Sequence, residues 1–301
     1  MKPFVFLICL FSQALFSQDI LPLRERARMI DAIQKDRIQN LLPQLMEEQN
    51  LDLWVLITRE YNEDPVVKTL LPPTWLNARR RTILVFSKTT GFRHQSIPNG
   101  VMALKKMGEK HVFSVHTSED ANQFTDENLA KYDVVVLMST TGTIFNDAQK
   151  AAFQKFVQSG KGVVGVHSAT DTEYEWPWYN QMIGGYFLAH PRNQTLRLHV
   201  ADRTHPATWH LPENWLWTDE LYEFRNMNPA IKVLIQADET TYQPAKAMGA
   251  NHPMAWYHEF DGGRVFYTAL GHVDAVWEDA DFLKHLYGGI WYAAKGSLPK
   301  K

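Results

Sequence analysis

The chain has 301 residues, of which 45% are hydrophobic and 12% aromatic, and its formal net charge is −2. This apolar content is enough for a globular core, so general disorder is excluded. The 31 basic and 33 acidic residues nearly cancel, which argues against a nucleic-acid-binding protein, because such proteins carry a basic surplus. The single cysteine, Cys9, excludes an intrachain disulfide and a cysteine-based zinc site.

Residues 1–18 are predicted to be a secretory signal peptide. Lys2 precedes a short apolar run at 4–11, and the small residue Ser17 follows it. A buried first strand is the alternative, but no turn residues close the run. The run is shorter than the roughly 20 apolar residues of a transmembrane helix, and no other segment is long enough. We therefore expect a secreted or periplasmic protein without a membrane span, and without cysteine once residues 1–18 are removed.

Residues 19–81 form a first region that contains no histidine, since all 12 histidines lie from His94 onward. Apolar residues between 24 and 50 recur at helical spacing, so a helix is predicted there. The segment LDLWVLIT (51–58) is predicted to be a strand, and prolines interrupt the pattern that follows.

From residue 82 to residue 296, short apolar runs alternate with helical patterns, and a tail of residues 297–301 follows. Short, fully apolar strands separated by helices indicate a parallel sheet covered on both faces. We therefore predict an α/β fold with an open, mostly parallel sheet and helices on both faces. The predicted strands are 83–86, 112–115, 133–138, 162–166, 196–200, 231–235 and 264–270, and the predicted helices are 97–107, 145–158 and 280–294.

Reactive side chains follow the predicted strands at the places where ligands bind in such folds. In an open α/β sheet, ligands lie beyond the carboxyl ends of the strands. The segments at those ends are 87–94, 139–143 and 167–171, and Gly271 and His272 follow a later strand. The catalytic candidates are His94, His167, Asp171, Glu220 and His272.

The segment GVHSA (165–169) has the form of a sharp turn that lifts a side chain above the sheet, because its small residues tolerate a strained backbone. The raised position holds His167, where a nucleophilic Ser or Cys would stand. His167 can therefore act as a general base, an electrophile or a ligand. A loop histidine bonded to the backbone is the alternative.

Aromatic residues crowd the segments that follow the turn, and they suit a neutral, hydroxylated ligand whose sugar faces stack on rings. Core packing is the alternative for any single tryptophan. Asp171 and Glu220 could share general acid–base work. The sequence leaves the binding of a divalent metal open, because histidines are plentiful but no short motif such as HExxH occurs. The substrate-binding candidates are Arg93, Thr140, Trp176, Trp178, Tyr179, His190 and Tyr222.

From about residue 83 to residue 294 the chain resembles the ThuA-like (trehalose utilisation) family. The resemblance implies a fold like that of class I glutamine amidotransferases (flavodoxin-like), with histidine where those enzymes hold cysteine. It also implies a role in the catabolism of trehalose or related disaccharides, including their 3-keto derivatives. The matching segments are SKTTGFRH (87–94), FTDENLAKYDVVV (124–136), GVHSATDTEYEWPWY (165–179), HPAT (205–208), DELYEF (219–224), HPMAWYHEFDGGRVFYTALGH (252–272) and HLYGGIWYAA (285–294).

The first region resembles the start of the N-terminal domain of creatinase/aminopeptidase P-type proteins. The segment that carries this resemblance runs from RERARM at residue 24 to TILVF at residue 86. Only the opening part of that domain matches, and the metallopeptidase domain with its ligands does not follow. Peptidase activity is therefore not implied for this chain.

Two functional hypotheses follow. The first is an exported enzyme, a hydrolase, lyase or isomerase, that acts on a disaccharide or keto-sugar through histidine and carboxylate chemistry. The second is a sugar-binding module without turnover. Amidotransferase and protease chemistry are rejected because the nucleophile position is His167. The expected partner is a small carbohydrate, with a homo-oligomer left open.

Overall fold

The computed structural model describes residues 21–56, 65–70 and 81–295. The chain divides into two compact units, residues 1–79 and 80–301. The predicted signal peptide and the tail at 297–301 lie outside the described residues. Within the described ranges, no helix is long and apolar enough to cross a membrane.

The first unit confirms the helix predicted over residues 24–50. Helix α1 spans Leu23–Asp36, a π-helical segment spans Arg37–Leu41, α2 spans Leu42–Glu48 and α3 spans Val67–Leu70. The strand predicted at 51–58 is wrong over its described part, 51–56, which forms no strand and leaves Leu53 75% exposed. A strand needs a neighbour for its backbone hydrogen bonds, and residues 21–56 and 65–70 contain none.

The second unit is built on a sheet of nine strands in the order β2-β1-β3-β4-β11-β10-β9-β6-β7, and β5 and β8 pair separately. The strands are β1 Thr82–Phe86, β2 Ser114–Ser118, β3 Val134–Met138, β4 Gly162–Val166, β5 Tyr186–Ala189, β6 Gln194–Val200, β7 Asn214–Asp219, β8 Glu223–Arg225, β9 Lys232–Ala237, β10 Pro253–Phe260 and β11 Gly263–Thr268.

The sheet has a parallel part and an antiparallel part. Strands β2, β1, β3, β4 and β11 run parallel, and β10, β9, β6 and β7 extend the sheet with antiparallel pairing. The parallel strands β1, β3 and β4 are buried at every position, which explains their unbroken apolar sequences. The predicted α/β fold is therefore confirmed, with the antiparallel strands as an addition to it.

Helices cover both faces of the sheet, as predicted. A side chain at Gly162 would meet α8, and one at Gly165 would meet Ile183 of α7. Residues three apart in a strand point to opposite faces, so α7 and α8 cover opposite faces. Asn146 caps α6 (Asp147–Gln158), since its side chain accepts from Gln149 N at 2.9 Å. The helices are α4 Ile97–His111, α5 Asp126–Leu129, α6 Asp147–Gln158, α7 Pro177–Ile183 and α8 Ala280–Lys295.

A buried histidine fastens α8 to the sheet. His285 Nδ1 donates to Ala207 O at 2.8 Å, and its Nε2 lies 3.1 Å from Thr268 Oγ1 in β11. Burial lowers the pKa of His285 from 6.5 to about 3. The folded chain therefore holds this imidazole neutral at a pH where the unfolded chain protonates it.

We predict that the free energy of unfolding decreases between about pH 6.5 and pH 3, and that His285→Gln reduces this decrease. The unfolded state gains the proton first as pH falls, so the stabilisation is complete above this window and is lost within it. The slope from one such group is at most about 1.4 kcal/mol per pH unit. Urea unfolding at pH 7 and pH 5, about two units apart, measures the effect.

His199→Gln is the control for this experiment, because His199 is an exposed residue of β6. Its pH dependence should equal that of the wild type. An unchanged pH dependence in His285→Gln would contradict the assignment of the buried neutral imidazole.

Candidate functional site

Four side chains converge beyond the strand ends, and we call them the histidine–glutamate cluster: His94, His167, Glu220 and His272. His94 follows β1, His167 follows β4 and His272 follows β11. Because these strands are parallel, the three histidines lie together at the carboxyl ends of the strands. Glu220 directly follows β7. One nitrogen or oxygen atom from each of the four lies within 4.8 Å of those from the other three. The cluster unites four of the five catalytic candidates.

His167 Nε2 is the central atom of the cluster. It lies 3.2 Å from His94 Nε2, 3.2 Å from His272 Nδ1 and 3.6 Å from Glu220 Oε1. His272 Nδ1 is also 3.4 Å from Glu220 Oε1. Three imidazole nitrogens and one carboxylate oxygen therefore face a common point.

The backbone at His167 is strained, as the sequence predicts for this turn. Its φ is +49°, which costs a residue with a Cβ roughly 1–3 kcal/mol. Tyr267 holds the strained residue, because its hydroxyl donates to His167 O at 2.7 Å. On the ring, Nδ1 donates to Ala269 O at 2.8 Å, so a neutral His167 presents the unprotonated Nε2 to the cluster.

Burial sets the charges of the cluster. It lowers the pKa of His94 to about 2, with a further contribution from His167, and it also lowers the pKa of His272. Burial alone would raise the pKa of Glu220, but the neighbouring histidines, His167 first, outweigh it and lower that pKa. At neutral pH the cluster thus contains neutral imidazoles from His94 and His272 beside an ionised carboxylate.

Aromatic rings and a half-exposed histidine surround the cluster. The Tyr222 ring lies 4.3 Å from the His167 ring, and the Phe187 ring lies 4.4 Å from Tyr222. His190 Nδ1 is 3.3 Å from Glu220 Oε2, and 43% of the His190 side chain is exposed. The predicted residues Tyr222 and His190 therefore form a wall and part of the mouth of the site.

Asp171, the fifth catalytic candidate, borders the cluster without joining it. Its Oδ1 accepts from Tyr174 OH at 2.6 Å. Burial raises the pKa of Asp171, while Tyr174 and the charges of His167 and His190 act in the opposite direction. A catalytic role for Asp171 stays a prediction.

Two predicted substrate-binding residues lie in the interior. The Tyr179 hydroxyl donates to Ala169 O at 2.7 Å, and the residue is fully buried. Thr140 is also fully buried, with its hydroxyl 2.9 Å from Thr172 Oγ1. These placements favour packing roles for Thr140 and Tyr179.

Three further predicted substrate-binding residues have partners outside the cluster. Arg93 pairs with Glu119 at 2.7 Å. Trp178 Nε1 donates to Asp261 Oδ2 at 2.9 Å, and the Trp176 ring stacks on Trp178 at 5.1 Å. A role in substrate binding remains a prediction for Arg93, Trp176 and Trp178.

Asp219 is a positioning residue outside the predicted set of site residues. Its Oδ1 accepts from Glu220 N and Val273 N, each at 3.0 Å, and its Oδ2 accepts from Gly271 N at 2.8 Å. This buried carboxylate thereby fixes both Glu220 and the turn that carries His272. Its place beside Glu220 in DELYEF was the available signal.

Ser168 is a second neighbour of the cluster that was not predicted as a site residue. Its Oγ lies 3.3 Å from His94 Nδ1. The 3-10 turn His167–Thr170 brings Ser168 to this position, because it folds the chain back directly after the strained residue.

We predict that Asp219→Asn lowers the free energy of unfolding by about 1–3 kcal/mol. The amide nitrogen of asparagine cannot accept a hydrogen bond, so a buried backbone N–H of the 271–273 turn loses its acceptor. Urea unfolding at neutral pH measures the loss. The matched control is Glu119→Gln in the exposed ion pair with Arg93, where a change below about 1 kcal/mol is expected. Equal stability of the two variants would contradict the role given to Asp219.

Comparisons with known proteins agree with this architecture. Residues 82–293 match the family described as trehalose utilisation (ThuA). A ThuA-like protein from Bacteroides uniformis is similar in structure, with a TM-score of 0.62 and 20% identity over 74% of this chain and 95% of that one. A ThuA-like protein from Parabacteroides merdae gives 0.61 and 22% over 74% and 93%. A search of curated proteins gave no match.

The matched region also bears on the two resemblances seen in the sequence. The glutamine amidotransferase-like fold is confirmed. The creatinase-like resemblance of residues 24–86 is not supported, because the family match begins only at residue 82. With a match over residues 82–293, the chain belongs to the ThuA (trehalose utilisation) family.

Proposed function

We propose that this protein is an exported enzyme of carbohydrate catabolism that acts on a disaccharide or keto-sugar by acid–base chemistry. Membership of the trehalose utilisation family supports a carbohydrate-related role. The observation that carries the enzymatic part is the histidine–glutamate cluster, in which the free Nε2 of His167 faces Glu220 at the edge of the sheet. Export rests on the signal-peptide pattern of residues 1–18.

In this proposal His167 moves the proton. Its Nε2 removes a proton from a sugar hydroxyl or from a carbon next to a carbonyl, and returns it to the product. Glu220, 3.6 Å away, stabilises the imidazolium that forms. The backbone acceptor at Ala269 keeps the ring in the required tautomer. A hydrolase, lyase or isomerase reaction can each use such a transfer.

The surroundings of the cluster favour a neutral, hydroxylated ligand. The partly exposed Phe187, packed 4.4 Å from Tyr222, offers a ring against which the C–H face of a sugar packs, and His190 and Glu220 offer hydrogen-bonding groups. The turn offers no thiol, since its raised position holds His167. A carbohydrate is therefore the ligand class that the site suits best.

We predict that His167→Ala lowers kcat on the true substrate by about 10²–10⁴-fold, the usual contribution of a positioned acid–base group. Trehalose and its 3-keto derivative head the panel of disaccharides, with product formation followed by mass spectrometry. His199→Gln, at an exposed position on β6, should retain wild-type kcat. Unchanged turnover in a folded His167→Ala protein would refute the role of His167.

The alternative is a sugar-binding module without turnover, which the absence of a nucleophile at the turn permits. Titration calorimetry with the same sugars separates the two functions. Saturable binding with no product from any sugar in the panel would favour the binding module over the enzyme.

A further inference from the structure

We propose that the histidine–glutamate cluster binds one divalent transition-metal ion, with Zn²⁺ as the best fit. The ligands are Nε2 of His94, Nε2 of His167, Nδ1 of His272 and Oε1 of Glu220. Metal binding is inferred from the geometry of these donors, whereas its catalytic use rests on the proposed function. Because a bound ion occupies Nε2 of His167, Lewis-acid activation by the ion would replace the proton transfer assigned above to that atom.

Four of the six distances between the donor atoms match the edges of a coordination tetrahedron, and all six are within 4.8 Å. Zinc–nitrogen and zinc–oxygen bonds of about 2.0–2.1 Å place tetrahedral ligand atoms roughly 3.3 Å apart. The four separations around His167 Nε2 and His272 Nδ1 are 3.2, 3.2, 3.4 and 3.6 Å. One ion can therefore contact all four donors with small adjustments of the side chains.

The outer hydrogen bonds orient the donors toward that common point. A histidine that ligates a metal usually donates its other ring N–H to a carbonyl or a polar side chain. His167 does so through Nδ1 to Ala269 O, and His94 Nδ1 faces Ser168 Oγ at 3.3 Å. Both rings consequently present Nε2 to the centre of the cluster. Asp219 also positions Glu220, because Asp219 Oδ1 accepts a hydrogen bond from the backbone N–H of Glu220.

A cation also resolves an electrostatic difficulty within the cluster. His167 Nε2 is unprotonated in the neutral ring, yet two other imidazole nitrogens lie 3.2 Å from it and Glu220 lies near. The single lone pair of Nε2 accepts one strong hydrogen bond, so one of the two neighbouring imidazole nitrogens is left without a good hydrogen bond to it. A divalent ion attracts all of the lone pairs at once. Three imidazoles and one carboxylate form a donor set that suits Zn²⁺.

Part of the cluster is exposed to solvent. The His272 side chain is 23% exposed and His190 is half-exposed, whereas His94 and His167 are buried. Zinc can expand to five ligands, which allows a substrate oxygen to bind beside the protein donors. A bound ion would polarise the carbonyl of a keto-sugar as a Lewis acid.

The test measures metal content of the full-length chain apart from activity. Purified protein is stripped with a chelator and dialysed against Zn²⁺ or Co²⁺, and metal per chain is determined by elemental mass spectrometry. We expect one ion per chain, and for Co²⁺ the intense visible bands of a four-coordinate ion. His94→Gln and His272→Gln should each weaken Zn²⁺ binding at least about 10-fold, because even loss of an outer partner costs 10–100-fold.

His252→Gln is the matched control. His252 is buried and lies 2.9 Å from Glu239, but that pair offers only one imidazole, and its Nε2 is already bonded to Tyr222 O. Metal content of this variant should equal that of the wild type. The partly exposed position of His272 keeps the test usable where His94→Gln does not fold.

Two results would overturn the metal site: no stoichiometric Zn²⁺ or Co²⁺ in folded wild-type protein, or equal affinity for Zn²⁺ in wild type and His272→Gln. The first would leave a cluster joined by hydrogen bonds alone. The proposed function fails separately. One ion per chain with no sugar converted refutes the enzyme and retains the metal site. Turnover by metal-stripped protein retains the enzyme and refutes the catalytic use of the ion.

Discussion

The parallel register between β4 and β11 is the constraint on which the site depends. Val166 lies opposite Thr268, so the next residues, His167 and Ala269, are neighbours across the two strands. This neighbour relation supplies the carbonyl that fixes the His167 ring at 2.8 Å. It also brings His272, three residues after Ala269, to the same carboxyl end of the sheet as His167. A shift of register by one residue would reverse the faces of β11 and break both relations.

The antiparallel part of the sheet contributes to the site as well as to the core. Strand β7 is the last strand at one side of the sheet; it ends at Asp219, and Glu220 follows it. Asp219 accepts from two backbone groups of the turn after β11, so its carboxylate links the end of β7 with the end of a strand four places away. Buried N–H groups need such acceptors, and the link fixes Glu220 relative to His272.

The sequence revealed the buried parallel strands better than the half-exposed antiparallel ones. Strand β4 was predicted with its observed bounds because every residue in Gly162–Val166 is buried. Strand β7 alternates exposed and buried residues, with Trp215 and Trp217 buried. It was missed because the exposed position between them holds an apolar residue, Leu216, 72% exposed, so the sequence does not show the alternation. The run at 51–58 shows the converse, since 51–56 form no strand and the described part of the first unit, 21–56 and 65–70, contains no strand to pair with them. In each case the deciding factor is a tertiary partner.

The same reasoning explains which site residues were accessible from sequence. His94, His167 and His272 follow strands, so the topology of the fold predicts that they meet, whereas the partners of Arg93 and Trp178 depend on contacts with distant segments. Short metal motifs such as HExxH work because one helical turn brings two ligands together. Here the sheet performs that task for residues 73 and 105 positions apart in the chain. The lack of a tight motif therefore carries no weight against a metal site in a parallel sheet, where the register of the strands replaces the spacing of the residues.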